Sequence, residues 1–295
     1  MKHSVKDYVL ATRPWSFPAS AMPVTVTMAW LFYIGAQPVW WLGLWALLTI
    51  VMVHAAGNVW SDYFDYKTKV DREDTYGVKI LTSGMFRPKE MLTLSIVLQV
   101  VALLSGIALV YATGIELLWI GLGGVMLSLL YPPLKYAALG DVVIYLCYGL
   151  LPVMGTSFIA TDTIHWQALW LSIPVGLITI SILHANNTRD IETDRRAGIN
   201  TFAMLIGRHI SAYIYCAEVL VPFAFVTLMV LCGYYSWSIL LVWIVFPVAV
   251  KNIQMMIGYR TKGVESFASL DEASAKLQLA FSLLLSIGFI AAALI

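Results

Sequence analysis

Nine apolar runs, each long enough to cross a bilayer, dictate what this chain can fold into. They read at about 16–34, 39–60, 91–112, 115–131, 141–160, 167–187, 210–232, 236–257 and 274–295. A bilayer core takes about 20 apolar residues per helix. In lipid every backbone N–H and C=O must be satisfied within the segment, which favours helices. Only 12% of the 295 residues are charged, about half the share found in a soluble domain. The expected fold is all-α: a polytopic membrane protein of nine transmembrane helices, with the lipid bilayer as its surroundings. A net charge of +1 gives no basic surface for nucleic acid, so no nucleic-acid partner is expected.

The charges also orient the helices. All 18 Lys and Arg fall before span 1 or beside the connections after spans 2, 4, 6 and 8. The connections at 35–38, 112–114, 161–166 and 232–236 carry none. The positive-inside rule then expects a cytoplasmic N-terminus and an external C-terminus in the cytoplasmic (inner) membrane. Lys2, His3, Lys6 and Asp7 lead into an apolar run too long for a signal-peptide core, so no cleavable signal is expected. Cys147, Cys216 and Cys232 sit in apolar runs without metal spacing and read as small buried hydrophobes.

Nearly all the polar chemistry lies after spans 2 and 6. If span 2 stays helical past Trp60, Asn58, Asp62 and Asp65 fall at i, i+4 and i+7 on one face, and the acidic run continues to Asp71, Glu73 and Asp74. After span 6, Asn186, Asp190 and Asp194 stand at i, i+4 and i+8, again on one face. Like charges four apart on a helix repel by a few tenths of a kcal/mol, and carboxylates near lipid also lose hydration. A divalent cation relieves both costs. Hard oxygen ligands with room left for phosphate oxygens describe Mg²⁺. A solvated acidic helix end balanced by neighbouring cations is the plainer alternative. Two ladders, each led by Asn at the end of an even-numbered span, favour the metal.

Cations surround both ladders. Lys67, Lys69 and Arg72 follow the first, and Arg189, Arg195 and Arg196 frame the second. Lys135 is the one cation of its short connection, after Tyr131-Pro132-Pro133. Carboxylates hold metal, metal bridges to diphosphate, and Lys or Arg takes the remaining phosphate charge. The candidate catalytic set is Asp65, Asp71, Asp190, Asp194 and Lys135, with Tyr131 and Arg189 beside the diphosphate. His54 and His184 read as packed or hydrogen-bonded histidines. Glu218, inside span 7, suits a functional role and a bond to a neighbouring helix equally. Each half has a span, a ladder, a basic stretch, a Gly-Arg element and a further span. One membrane-embedded domain over 1–295 is expected, built of two weakly related four-helix halves and a ninth helix.

The ladder Asn58…Asp62-Tyr-Phe-Asp65…Asp71 and the run Asn186-Asn-Thr-Arg-Asp190-Ile-Glu-Thr-Asp194-Arg-Arg-Ala-Gly198 resemble the two signatures of the UbiA superfamily of intramembrane prenyltransferases. The opening Arg13-Pro14-Trp15-Ser16-Phe17-Pro18 and the segment Tyr131-Pro-Pro-Leu-Lys135 extend the resemblance. The second run is most similar to the branch acting on 1,4-dihydroxy-2-naphthoate, the menaquinone-forming enzymes and their animal relative. The resemblance implies helices around a central cavity that opens sideways to lipid, and two Mg²⁺ ions, one for each ladder. It assigns metal binding to Asn58, Asp62, Asp65, Asp190 and Asp194, and diphosphate contacts to Arg13, Lys67, Arg72 and Lys135. Asn186, heading the second ladder, joins the metal set. Many members carry Asn before the first Asp, where this chain has Ser61.

The function so implied is Mg²⁺-dependent transfer of a polyprenyl group from a prenyl diphosphate to a small aromatic acceptor at the cytoplasmic face. With 1,4-dihydroxy-2-naphthoate, the prenyl group joins the carboxylate-bearing carbon, CO₂ leaves, and demethylmenaquinone results. Asn187 or Arg189 is placed to orient that carboxylate. Another aromatic acceptor, such as 4-hydroxybenzoate, is the nearest alternative. An ion-coupled transporter is a rival of another class, but transporters place their acids near the midplane on broken helices. A phosphatidyl-alcohol transferase lacks its expected Asp-Gly…Ala-Arg spacing here.

Overall fold

The structure, a computed structural model, describes residues 3–72, 76 and 79–295. Lys2, Glu73 and Asp74 lie outside the described residues. Among the described residues there are helices and one isolated bridge but no strand. Helix α1 spans Val5–Ala11 and α2 spans Pro18–Tyr33. Next come α3 (Trp40–Lys67), α4 (Pro88–Thr113), α5 (Glu116–Tyr136), α6 (Gly140–Thr161) and α7 (Trp166–Arg189). A short α8 covers Ile191–Ala197, and α9 (Phe202–Leu231), α10 (Trp237–Lys262) and α11 (Val264–Leu294) complete the chain.

The expected helical membrane bundle is what forms. Eight described helices are long and apolar enough to cross a membrane; the first expected span is α2, at sixteen residues the shortest. Pro14 and Pro18 cut it short, because a proline starts a helix but cannot continue one from the N-terminal side. Between them lies a 3-10 turn, Pro14–Ser16, whose cap Arg13 takes left-handed φ 55 and ψ 59.

The core lies where α2, α7, α9 and α11 meet, around Leu171, Ile178, Tyr215, Phe223, Phe281 and Phe289. Small residues allow the closest approach. A Cβ on Gly149 would stand 2.9 Å from the Gly176 Cα, and one on Gly176 would stand 2.6 Å from the Tyr145 ring, so the contact of α6 with α7 requires glycine. Helices α4 and α5 are far less covered by protein than α7. That difference leaves one side of the bundle open.

At the polar end, two connections are clamped together. Ala138 N donates to Asn200 O at 2.8 Å, and Asn200 N donates to Tyr136 O at 3.1 Å, forming the bridge Ala137–Asn200. This pins the end of α5, with Lys135, beside the connection that follows α8.

Candidate active site

Helix α3 does continue past Trp60, to Lys67. The Asn58 side-chain amide donates to Thr12 O and Ser16 Oγ, each at 2.9 Å; its oxygen is left over as a ligand. Asp62 is buried and ion-paired with Arg13. Neither of its oxygens has a hydrogen-bond partner among the described residues. Asp65 receives the Tyr136 hydroxyl at 2.6 Å, Ser61 Oγ at 3.2 Å and Lys135 Nζ at 3.3 Å. After α3 the chain hooks back, with Val70 N and Asp71 N both donating to Asp65 O at 2.8 and 3.1 Å. Asp71 is thereby delivered to the same side. Burial, then the charge of Asp65, pushes its carboxyl up to about 6.

The second ladder departs from expectation, because it does not lie on one unbroken helix. Helix α7 ends at Arg189, and Asp190, at φ −91 and ψ 8, separates it from α8. A ψ near zero opens the turn, while Asp190 N to Asn186 O at 2.9 Å and Asp194 N to Asp190 O at 2.8 Å persist. The three side chains therefore still line one cavity.

Arg189 organises this junction. Its Nε and Nη2 grip both oxygens of Asp190 at 2.8 and 2.9 Å, and Nη2 also donates to Asn186 Oδ1 at 2.8 Å. Its Nη1 donates to Ala268 O at 2.9 Å and stands 3.3 Å from Asp271. Each of its three nitrogens thus meets a protein oxygen, while the side chain still lines the cavity. Asn187 is similarly held, its amide donating to Asp141 Oδ1 at 3.3 Å. Burial pushes the Asp194 carboxyl up to about 7, with Asp190 and Asp65 raising it further and Lys135 opposing. The two ladders face one another.

The cavity they share measures 870 Å³. Its polar end holds Arg13, Asn58, Asp65, Asp71, Tyr131, Lys135, Asn186, Asn187, Arg189, Asp190 and Asp194. Asp62, Lys67 and Arg72 do not line it. Lys67 is exposed at the end of α3, and Arg72 Nε donates to Lys69 O at 3.0 Å. The apolar remainder includes Val100, Leu103 and Ile107 of α4 and Leu122 and Leu129 of α5, which are also exposed. The cavity thus opens between these two helices toward lipid.

Sequence reasoning missed four residues here. Tyr136 binds Asp65. Tyr76 lies under the Arg189 guanidinium at 4.9 Å and donates to Glu265 at 2.8 Å. Asp271 and Glu272 line the cavity from the first turn of the last long helical stretch. Acids there read as ordinary partners of the helix dipole. Asp65, Asp71, Asp190 and Asp194, with the Asn58 oxygen, offer hard donors on opposing walls, and Lys135 and Arg13 add positive charge. Such a donor set suits a small divalent cation carrying phosphate oxygens.

The model of the UbiA prenyltransferase family matches residues 21–250. The chain belongs to this family. It is 32% identical over 297 residues to mouse UbiA prenyltransferase domain-containing protein 1, covering 99% of this chain and 86% of that one. The Drosophila melanogaster homolog is 30% identical, with 95% and 78% covered. Among solved structures, a UbiA homolog from Aeropyrum pernix superposes with a TM-score of 0.64 at 16% identity, covering 92% of this chain and 97% of that one. A UbiA homolog from Archaeoglobus fulgidus bound to DMAPP and Mg²⁺ gives 0.62 at 13% identity, with 95% and 99% covered. This UbiA chain is an integral membrane prenyltransferase, an enzyme that moves prenyl groups.

Proposed function

We propose that the chain transfers a polyprenyl group from its diphosphate to 1,4-dihydroxy-2-naphthoate, with Mg²⁺ and with loss of CO₂. The observation that carries this reading is the pair of facing carboxylate walls, with Lys135 between them, at the mouth of an apolar cavity open to lipid. The animal relatives, the second ladder's sequence and the Archaeoglobus neighbour's DMAPP and Mg²⁺ support it. Asp65, Asp71, Asp190 and Asp194, with Asn58, would hold the metal; Asp62 would join them on parting from Arg13. Mg²⁺ supplies charge neutralisation of the departing diphosphate.

The chain's own residues do the rest. Lys135 and Arg13 take phosphate charge, and the ion pairs they now make with Asp65 and Asp62 keep both cations in place beforehand. The apolar walls exclude water from the allylic cation, and Tyr131 and Tyr148, which line the same cavity, supply aromatic surface near it. The prenyl C1–O bond breaks as the carboxylate-bearing ring carbon bonds to C1. CO₂ then departs, its bonding electrons return to the ring, and the product is the quinol, recovered in air as demethylmenaquinone. The tail lies toward α4 and α5. The cation distribution supports a cytoplasmic face for this end, with the N-terminus inside and the C-terminus outside, in a single membrane-embedded domain.

Product mass spectrometry tests it. Purified protein with Mg²⁺, a prenyl diphosphate and 1,4-dihydroxy-2-naphthoate should give a product with one prenyl gained and one CO₂ lost. Carboxyl-labelled substrate should release its label as gas in step. Prenylation of 4-hydroxybenzoate with its carboxylate retained, and none of the naphthoate, would move the acceptor to that class.

A further inference from the structure

His184 and Glu218 take no part in the site described so far. With Asp141 they form a second cluster: Asp141 opens α6, His184 stands near the end of α7, and Glu218 lies within α9. One ligand atom from each lies within 4.8 Å of the other two. His184 Nδ1 stands 2.7 Å from Asp141 Oδ2 and 3.5 Å from Glu218 Oε1. None of the three lines the cavity; they sit beside the wall that Leu183, Asn186 and Asn187 give to it.

Hydrogen-bond counting fixes which way the imidazole donates. A hydroxyl has one proton to give. Thr188 gives its own to His184 O at 2.7 Å, so its close contact with Ser211 Oγ takes the Ser211 proton. His184 Nε2 meets that same Oγ at 2.8 Å and Ser211 O at 3.1 Å. Both are acceptors, and Nε2 therefore carries a proton. Nδ1 then turns a lone pair on two carboxylates unless a cation stands between them. A proton at Nδ1 sets one positive charge against two negative ones, and an unbalanced buried charge is costly. Among the described residues, no Lys or Arg pairs with Asp141 or Glu218. Glu218 is only 7% exposed, and its Oε2 has no hydrogen-bond partner there, so a second proton on that oxygen would find no acceptor. A divalent ion balances both carboxylates and gives Oε2 a bond.

The surroundings match what metal ligands need. A metal-bound histidine donates its other N–H to a backbone carbonyl, and a metal-bound carboxylate is itself hydrogen-bonded. Here Nε2 meets Ser211 O, and Asp141 Oδ1 accepts from Asn187 at 3.3 Å. We propose that Asp141, His184 and Glu218 form a second metal site, for a divalent ion of the zinc class, which ties α6, α7 and α9 together. Tetrahedral ligands at about 2.0–2.1 Å stand about 3.3 Å from one another. Nδ1 and Glu218 Oε1 nearly do so already, and Asp141 needs to draw back by roughly 0.6 Å to match. The imidazole separates this site from the all-oxygen ladders, because nitrogen ligands select zinc where carboxylates and carbonyls suit magnesium. The Asp141 side chain, 12% exposed, marks the way in. Through Asp141 the ion also steadies Asn187, next to the head of the second ladder.

Zinc titration of the tag-free chain in lipid nanodiscs tests this. Asp65→Asn with Asp194→Asn disables the ladders, and excess Mg²⁺ occupies what is left of them. One equivalent of Zn²⁺ should still bind, read by competition with a chromophoric chelator and by metal analysis after desalting. Adding Glu218→Gln should weaken that binding at least about a hundredfold, since loss of even an outer partner of a metal ligand costs about ten- to a hundredfold. Zn²⁺ should raise the Tm of the wild-type chain and leave that of Glu218→Gln nearly unmoved. No bound Zn²⁺ in the wild-type chain overturns the site and leaves an imidazolium held between two carboxylates. One equivalent kept by both Glu218→Gln and His184→Gln overturns it as well, by placing the ion elsewhere. Should the variants fail to fold, X-ray absorption at the zinc edge of the wild-type chain decides. An imidazole among oxygen ligands supports the site, and a shell of oxygens alone, or one with sulfur, overturns it.

Discussion

In the first ladder the carboxylates meet cations brought from far along the chain: Asp62 faces Arg13 and Asp65 faces Lys135. In the second, Asp190 is gripped by its own neighbour Arg189, while Asp194 has no ion-pair partner within 4 Å among the described residues. The first is therefore a tertiary site, whose charge balance exists only once the turn at Arg13, α3 and α5 have come together. In the second, Asp190 has its counter-charge in the adjacent residue, whereas Asp194 shares the distant Lys135 with the first ladder and Arg189 is itself held by Ala268 and Asp271. Removing a cation should disturb the two differently, whereas removing a metal-facing carboxylate should affect them alike.

The largest effect is expected where the ladders are equivalent. Asp65→Asn and Asp194→Asn should each lower turnover by at least about a thousandfold, since several kcal/mol of leaving-group stabilisation go with the metal. EDTA should do the same to wild type, reversibly on adding Mg²⁺. Combining the two substitutions should cost little beyond either alone, because both act on one diphosphate; additive losses would show two independent sites.

Next comes Lys135→Ala, which strips the first ladder of a counter-charge and, on the proposed function, the diphosphate of a partner. Donor KM should rise about ten- to a hundredfold, with acceptor KM nearly unchanged. An unaltered donor KM and turnover would return Lys135 to membrane anchoring. Arg189→Lys should be milder, about tenfold in apparent Mg²⁺ affinity, because a point charge cannot reproduce the fork on Asp190. A change in donor KM with Mg²⁺ affinity intact would instead put Arg189 on the substrate.

The smallest effect concerns protons. The Asp194 and Asp71 carboxyls, pushed up to about 7 and about 6 from 3.8, both favour the neutral form in the metal-free fold. Their folded values lie above the unfolded ones, so the stability these two groups contribute to the metal-free fold is fully present below about pH 4 and is lost as pH rises through 4 to 7. Mg²⁺ must displace those protons, so its apparent affinity should weaken below pH 7. Thermal unfolding at pH 5.5 and 8, with and without MgCl₂, checks the sign: the Mg²⁺-induced rise in Tm should be larger at pH 8.

The helical bundle was legible because hydropathy is written locally, and both ladders because Asn and Asp recur at helical spacing. The counter-charges were legible only in part. Lys135 stood out as the one cation of its connection, but Lys67 and Arg72 did not separate from anchoring cations, since positive-inside anchoring and phosphate binding use the same residue types. Only the folded chain leaves Lys67 exposed and brings Lys135 to Asp65. The break at Asp190 was hidden because Arg189, which holds both sides of it, also fits an unbroken helix. Tyr76 and Asp271 gave no signal, for their role depends on contacts made 113 and 82 residues away, at Arg189.

Arg13 carries one further consequence. Its left-handed backbone costs a non-glycine residue about 1–2 kcal/mol, a cost glycine would escape. Yet its side chain is what Asp62 meets. At this position folding and chemistry ask for different amino acids. Replacement by glycine would relax the turn ahead of α2 while leaving the Asp62 carboxylate alone in its pocket. A screen for thermal tolerance would therefore drift toward the residue that a screen for turnover rejects.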